Sequence, residues 1–294
     1  MLDEIDKLAW NYLTVVIFSY YPFKRADIEQ VKFKNDKPIN SPERPKKSMI
    51  TYVNFVKHGP YCGWYKNGQL EYRGSYLSDQ EHGECVQYNQ QGILIAQYNF
   101  VNGNRVGWFK TWSDSGKPLS AGKYNGRSNT KIYEIYDGKI KHWHENGKLK
   151  SIDNYRNGLR EGFQYSWYSD GALMSKTYYI CGKTYGYKKE WFSNGQLKSI
   201  QYYMNDMSHG IAKTFHLSGK LASKCHFKLG DLHGILEYWD ADGKLKYRST
   251  YVDGDIYGLH EEWLDHYSKL FYFGDSDIYG GEYVSVNLNN IVQQ

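Results

Sequence analysis

At 294 residues the chain is long enough to bury a core, and its 30 tyrosines and 29 glycines against 6 prolines favour short strands joined by tight turns. The net charge of +5 comes without a long basic run, which gives no indication of nucleic-acid binding. The four cysteines lie far apart with no CxxC spacing, which favours reduced thiols over the denser cysteine pattern of a secreted disulfide scaffold.

Residues 1–50 are predicted to form an N-terminal helical cap and linker. Apolar residues recur at helical spacing over residues 2–16, which favours an amphipathic helix. The uncharged stretch 8–23 is short for a membrane span, which needs roughly 20 residues, and no signal-peptide cleavage pattern is present. We therefore expect a cytoplasmic protein with no integral membrane association. Residues 17–28 also look faintly like the second half of an F-box, which leaves an adaptor role open.

From Gly59 onward the sequence repeats with a period of 24 residues, broken once by a step of 31 residues between Gly107 and Gly138. Each unit begins at an index glycine, and an aromatic residue stands five positions later. Seven of the nine tryptophans occupy this position, which indicates one structural role. The index glycines are Gly59, Gly83, Gly107, Gly138, Gly162, Gly186, Gly210, Gly234 and Gly258. The structural repeat aromatics are Trp64, Tyr88, Trp112, Trp143, Trp167, Trp191, Phe215, Trp239 and Trp263.

The second half of each unit carries a turn signal. Asn-Gly, Asp-Gly or a similar pair follows the aromatic, as at Asn194-Gly195, and is succeeded by a leucine and a second aromatic, as at Leu197 and Tyr203. Asn-Gly between alternating segments predicts a β-hairpin with a type I′ turn. The first aromatic, the leucine and the second aromatic share parity, so we expect them on one face of the sheet.

These observations predict an all-β fold. Residues 51–281 should form an elongated antiparallel array of about nine 24-residue hairpins, followed by a C-terminal strand or tail at residues 282–294. A parallel βαβ arrangement is excluded because no gap between turns has room for a helix.

The spacing G-x-x-x-x-W-x-x-x-G-x-L-x-x-x-x-x-Y, read in "GYKKEWFSNGQLKSIQYY" and again in "GILEYWDADGKLKYRSTYVDG", resembles the MORN repeat. The 24-residue variant of this repeat occurs in bacterial antitoxins of the YwqK type and in repeat proteins of large DNA viruses. The resemblance covers residues 59–281. It implies an elongated antiparallel sheet assembly that binds something else, usually a protein and sometimes a phosphoinositide surface, and it does not imply catalysis.

Two departures from the repeat stand out. Seven extra residues near 125–131 predict a protruding connection, which is either drift in a tolerated turn or a recognition element. The ninth unit has His266 and Tyr267 where the turn pair is expected, as in a terminal repeat that caps an array.

Four histidines directly precede index glycines, and histidine is a common metal ligand. Equivalent positions in consecutive hairpins are about 9.6 Å apart, whereas zinc needs ligand nitrogens about 2.1 Å from the ion, so we interpret the His-Gly pairs as turn residues. His142 and His144 share a strand face but lack a third ligand. The His-Gly pairs begin at His58, His82, His209 and His233.

The sequence gives no support for an active site. Asp275 and Asp277 suit a divalent cation but are equally ordinary loop residues, and Glu261 and Glu262 point to opposite faces of a strand. No phosphate loop, nucleophile elbow or HExxH motif occurs. We therefore expect no enzyme activity and no catalytic residue, cofactor or metal site.

Binding is the function that the sequence favours, and we expect a non-enzymatic scaffold for a protein partner. Aromatic residues beside the tryptophan row, and lysines that follow turn glycines, are the candidate contacts. The lysines either discourage strand addition or form an anion-facing stripe with weak affinity for anionic lipid. An antitoxin that neutralises a toxin, and a phosphoinositide binder, are the alternatives. The candidate partner-binding residues are Tyr65, Tyr168, Phe192, Lys148, Lys220 and Lys244.

Overall fold

The computed structural model describes residues 30–35, 47–126, 135–263, 268–273 and 283–286. In these residues the structure is all-β and contains no helix, and so no helix that could cross a membrane. The expected N-terminal helix, the F-box-like segment and most of the insertion lie outside the described residues, as do Asp275 and Asp277.

The chain divides into two compact units, Met1–Gly147 and Lys148–Gln294. Within each unit, each long strand pairs antiparallel with the next long strand of the chain. Three two-residue strands, Gln80–Glu81, Leu159–Arg160 and Asp231–Leu232, each pair with the end of the strand before them. The strands of the first unit are β1 Gln30–Asn35, β2 Lys47–Val53, β3 Val56–Trp64, β4 Leu70–Leu77, β5 Gln80–Glu81, β6 Gly83–Tyr88, β7 Leu94–Val101, β8 Asn104–Trp112, β9 Pro118–Asn125 and β10 Gly138–Trp143. Those of the second unit are β11 Leu149–Arg156, β12 Leu159–Arg160, β13 Gly162–Trp167, β14 Leu173–Ile180, β15 Lys183–Trp191, β16 Leu197–Met204, β17 Met207–Phe215, β18 Leu221–Lys228, β19 Asp231–Leu232, β20 Gly234–Trp239, β21 Leu245–Val252, β22 Asp255–Trp263, β23 Ser268–Phe273 and β24 Tyr283–Val286.

The turns at the Asn-Gly and related pairs are three-residue loops. In residues 192–196 the Gly195 amide donates to the Phe192 carbonyl, and the Phe192 amide donates to the Gln196 carbonyl. Of the loop residues only the glycine has positive φ, +84° at Gly195, which defines a type I turn followed by a glycine bulge. The type I′ geometry predicted for these pairs is therefore wrong.

Type I′ turns occur instead at the opposite end of the strands, where one repeat passes to the next. Both central residues have positive φ there, +56° at Asn205 and +68° at Asp206 for example. A two-residue turn of this kind matches the twist of the flanking strands, so it joins repeats without splaying them. The eight turns are Asn54-Phe55, Ser78-Asp79, Asn102-Gly103, Asn157-Gly158, Cys181-Gly182, Asn205-Asp206, Leu229-Gly230 and Asp253-Gly254.

The index glycines sit in bulges. All nine have positive φ, between 66° and 99°, and at Gly210 the register between β16 and β17 advances by two residues. A side chain is strained in this conformation, which explains why the period is marked by glycine.

Register assigns the side chains to two faces, because paired residues share a face and successive residues alternate. In the hairpin β15–β16, Gly186 pairs with Tyr203 and Trp191 pairs with Leu197. Since Trp191 is five positions after Gly186, an odd number, Tyr203 and Trp191 point to opposite faces. We call them the core face and the Trp face. The expectation that the second aromatic shares a face with the tryptophan is wrong, because Tyr203 pairs with Gly186, and Gly186 lies an odd number of positions from Trp191 along the same strand.

The core face carries most of the fully buried side chains. In the first unit Tyr61 lies 4.5 Å from Tyr76 and 5.9 Å from Tyr72, measured between ring centroids. Gly74 is paired with Tyr61, and a Cβ there would come within 2.8 Å of the ring, so the glycine leaves room for it. The core of the second unit uses smaller side chains. They are Gln164, Thr177, Ala212 and Ser249.

The last repeat keeps its pairing although its turn sequence departs from the pattern. Gly258 pairs with Phe273 and Trp263 with Ser268, so the second aromatic arrives two residues early. β23 pairs in turn with β24, within the segment that the sequence assigns to a C-terminal strand. The base of the insertion is closed by a hydrogen bond from the Asn125 amide to the Ile135 carbonyl, 2.8 Å long.

Candidate binding surface

The tryptophan row lies on the Trp face and is half-buried in every repeat, from Trp64 to Trp263. Trp167 stacks on Tyr165 with ring centroids 5.9 Å apart, and the Arg248 guanidinium lies 5.9 Å from the Trp263 ring. These rings are packed by neighbouring side chains of the same face, so the row contributes to repeat stacking.

The three aromatic candidates flank the three-residue loops and are half-buried. The Tyr65 hydroxyl donates to the Tyr88 carbonyl at 2.9 Å, and the Tyr168 hydroxyl donates to the Trp191 carbonyl at 2.8 Å. Each bond joins one repeat to the backbone of the next. Phe192 has the Lys198 ammonium 5.9 Å from its ring centroid.

The three lysine candidates lie at the same loops and are exposed. The Lys148 ammonium donates to the Asp170 carbonyl at 2.5 Å, and the Lys220 ammonium donates to the Asp242 carbonyl at 2.8 Å. At Lys244 the backbone amide donates to a carboxylate oxygen of Asp240 at 2.9 Å. Lys148 and Lys220 therefore connect successive loops.

The His-Gly histidines have a different place from the one predicted. His58 and His209 lie within strands, so their interpretation as turn residues is wrong. His209 accepts at Nδ1 from the Leu229 amide at 3.5 Å, and Glu161, at the equivalent position, accepts from the Cys181 amide at 2.8 Å. A side chain before the bulge glycine thus caps the next type I′ turn. Among the described residues no group of histidine, cysteine or acidic side chains could hold a metal ion.

A hollow of about 380 Å³ opens on the core face of the second unit, and its polar groups bond one another. The Ser166 and Ser175 hydroxyls are 2.6 Å apart, and the Lys188 ammonium lies 2.7 Å from Glu190. The hydrogen bond from Lys188 lowers the pKa of the Glu190 carboxyl, and the same bond raises the pKa of Lys188. These groups hold the repeats in register on this face.

Exposed apolar residues form a row on the Trp face of the second unit. They directly follow five successive index glycines, and therefore recur at 24-residue spacing on every second strand. We call this row, with Tyr178 and Tyr202 on the strands between, the apolar stripe. Phe163 lies 4.8 Å from Tyr178 and Tyr187 lies 5.2 Å from Tyr202, between ring centroids. The row consists of Phe163, Tyr187, Ile211, Ile235 and Leu259, exposed by 42%, 55%, 49%, 52% and 41%.

Lysines border the stripe on the same face. Lys176 pairs directly with Lys189, and Lys213 pairs directly with Lys224. Among the residues that the structure describes, these four lysines form one ion pair, in which the Lys224 ammonium lies 3.9 Å from the Glu237 carboxylate. Like charges directly opposite each other in a sheet repel, so this arrangement costs stability.

From Glu237 to Glu261, the positive charge that borders the stripe is neutralised by carboxylates of the same face. The Arg248 guanidinium lies 2.8 Å from Glu237 and 3.7 Å from Glu261. The positive charge beside the stripe is therefore concentrated toward β14–β18.

The comparisons with known proteins identify the repeat. The model of the MORN repeat variant matches residues 57–77, 136–157, 185–205, 208–229 and 232–253, together just over a third of the chain. The chain thus contains at least five repeats of the MORN variant. One similar solved chain, in the crystal structure of TcdB2-TccC3-Cdc42, is 11% identical with a TM-score of 0.21, and the match covers 84% of this chain and 17% of that chain. No curated protein matches the sequence.

The apolar stripe was missed at the level of sequence although its signal is present there. The residue after the index glycine is apolar in all five repeats from Gly162 onward, whereas in the first unit the position holds Pro60, Glu84, Trp108 and Lys139. Only the register shows that this position faces away from the core.

Proposed function

We propose that this MORN-repeat protein is a non-enzymatic scaffold that docks a protein partner on the apolar stripe. The observation that carries the proposal is the exposure of five apolar side chains at equivalent positions of successive repeats. Single apolar residues on a surface need no explanation, but exposed apolar side chains that recur on one face are a mark of an interaction site. The stripe is most continuous from Phe163 to Tyr202, and His226 and Thr250 pair with Ile211 and Ile235 on the strands between its last members.

The repeat architecture supports a surface of this kind. Each repeat contributes one equivalent side chain, and stacked repeats commonly use such extended faces for binding. The residues that build the repeat are glycines, tryptophans and the second aromatic, so the position after the index glycine is free to serve recognition.

Quantitative capture tests the proposal. The immobilised protein is incubated with extract of the cells that produce it, and retained proteins are measured by mass spectrometry. We expect a retained protein whose recovery falls at least about tenfold with the double variant Ile211→Glu and Ile235→Glu. The variant would place two carboxylates in a contact from which binding excludes water. Leu217→Glu is the matched control, since Leu217 is 59% exposed in a loop outside the stripe.

Equal recovery with the double variant and the control would overturn the proposal. A toxin among the retained proteins would assign the antitoxin alternative to the same surface.

A further inference from the structure

We propose that the apolar stripe receives an acidic amphipathic helix of the partner, lying across the strands. This inference rests on the proposed docking function and adds the chemistry and the geometry of the occupant. Three properties of the described residues carry it: the pitch of the stripe, the opposed lysines beside it and the change of charge along it.

The pitch of the stripe fits a helix. Its five residues lie on every second strand, so successive members are about 9.6 Å apart. A helix rises about 1.5 Å per residue, so residues seven apart on one side are separated by about 10.5 Å. The mismatch of about 0.9 Å per repeat is small enough for side chains to absorb over several repeats.

An extended peptide across the strands fits less well. Three residues of a strand span about 9.9 Å, which is the nearest match to the pitch. Because successive side chains of a strand alternate, residues three apart point to opposite sides and only every second contact would reach the stripe. A helix presents every contact on one side.

The opposed lysines indicate the charge of the occupant. Lys176 opposite Lys189, and Lys213 opposite Lys224, place four ammonium groups beside Phe163, Tyr187 and Ile211. The Lys176 ammonium already lies 4.2 Å from the Phe163 ring centroid, so the basic border touches the stripe. Repulsion of this kind is relieved by an anionic partner, and local conflicts that persist in a fold are expected at functional sites.

The charge changes along the stripe, which orients the occupant. Arg248 is neutralised by Glu237 and Glu261, so the border near Leu259 offers no unpaired positive charge in the described structure. The acidic residues of the helix should therefore lie over β14–β18, and its neutral end over β20–β22.

Designed peptides test the inference with the full chain. The probe is an alanine-based peptide of four heptads with leucine at every seventh position, glutamate beside each leucine and a fluorescent label. Its matched control has lysine in place of glutamate, and circular dichroism establishes that both are helical. Fluorescence anisotropy should show that the acidic peptide binds at least about tenfold more tightly than the basic one, because only the acidic peptide is complementary to the lysines.

Variants of the protein separate the contribution of the apolar stripe to peptide binding from that of the lysines beside it. The double variant Ile211→Glu and Ile235→Glu should abolish binding of the acidic peptide. Lys189→Glu with Lys213→Glu should weaken binding and remove most of its salt dependence, since exposed charges are screened within about 10 Å at 0.1 M salt. Leu217→Glu should bind like the wild-type protein.

Each other outcome overturns the inference. It fails if the basic peptide binds as well as the acidic one, or if acidic-peptide binding survives the Ile211 and Ile235 substitutions. Stripe-dependent binding to phosphatidylserine vesicles without peptide binding would assign the surface to a membrane instead. If the peptides do not bind but capture from extract still depends on the stripe, the helix is wrong and the docking function stands; if neither depends on it, both are wrong.

Discussion

At the scale of single residues, glycine serves two purposes in this chain. Gly186 has φ of +72° with nothing within 4 Å of a Cβ added to it, so its backbone conformation alone calls for glycine. Gly63 has no positive φ, but a Cβ there would lie 2.4 Å from the Tyr72 ring. The first glycine is needed for its φ and the second for its lack of volume.

Substitutions should separate these purposes. Gly186→Ala should cost about 1–2 kcal/mol of unfolding free energy, and Gly186→Asn less, because asparagine tolerates positive φ. Gly63→Ala should cost about 1–3 kcal/mol through overpacking, and Gly63→Asn no less. Urea denaturation measures the four values. An equal cost of alanine and asparagine at Gly186 would contradict this explanation.

A buried tyrosine in the first unit links stability to pH. Burial raises the pKa of Tyr61 far above its ordinary value, and hydrogen bonds to Cys85 and Glu81 raise it further. The Tyr61 hydroxyl donates to Glu81 at 2.6 Å. A folded-state pKa above the unfolded value of about 10 means that this group stabilises the fold below that pH and that the stabilisation is lost as pH rises above it.

Tyr61→Phe should therefore reduce the alkaline loss of stability. Between about pH 8 and about pH 11 the urea midpoint should fall less in this variant than in the wild-type protein, since the phenol that must ionise on unfolding is absent. Tyr257→Phe is the control, because Tyr257 is exposed. The same alkaline slope in Tyr61→Phe and the wild-type protein would show that Tyr61 is not the group responsible.

At the scale of elements, the two kinds of turn set the repeat. Among the described residues, a three-residue loop closes the first eight hairpins from Gly59 onward, and a type I′ turn passes the chain to the next repeat except at the insertion. Asparagine and glycine suit positive φ, yet Leu229 occupies the first central position of one type I′ turn with φ of +53°. Leucine there is both strained and exposed.

Leu229→Asn should therefore stabilise the protein by about 0.5–1 kcal/mol, because asparagine adopts this conformation more readily. The Leu229 amide, which donates to His209, is retained in the variant. Leu217→Asn, in a three-residue loop without positive φ at that position, should not stabilise. Thermal unfolding of the three proteins decides, and a lower midpoint for Leu229→Asn would refute the argument.

At the scale of the whole molecule, the two faces of the second unit have different roles. Ile211 and Ala212 are neighbours in β17 but face opposite ways, with Ile211 49% exposed and Ala212 6% exposed. The core face holds the repeats together, and the Trp face presents the apolar stripe with its basic border. Under the proposed docking function, stability and recognition are assigned to alternate residues of the same strand.

This assignment predicts opposite outcomes for adjacent substitutions. Ile211→Glu should change the free energy of unfolding by less than about 0.5 kcal/mol, whereas Ala212→Glu should cost more than about 3 kcal/mol by burying a charge. Urea denaturation with far-ultraviolet circular dichroism measures both. Similar costs at the two positions would show that the faces are assigned wrongly.

Much of the fold could be predicted from the sequence because its signals are local. The index glycines, the turn pairs and the aromatic period are set by φ preferences and strand propensity, which act within a few residues. The antiparallel hairpins were predicted for this reason and are confirmed. The type I′ turn predicted at Asn194-Gly195 is wrong, because Asn-Gly suits hairpin loops of more than one length. The glycine bulge found there depends on the register of the two paired strands.

The residue pattern alone predicts an antiparallel β repeat that resembles the MORN repeat, because periodic glycines and tryptophans specify one unit many times over. Which residues face the core and which face outward is visible only in the folded sheet. That choice depends on the register across the turns: the hairpin places Tyr203 opposite Gly186, and a one-residue shift beside the three-residue loop places Leu197 opposite Trp191. For the same reason the apolar residues after the index glycines could be read in the sequence, but their exposure could not.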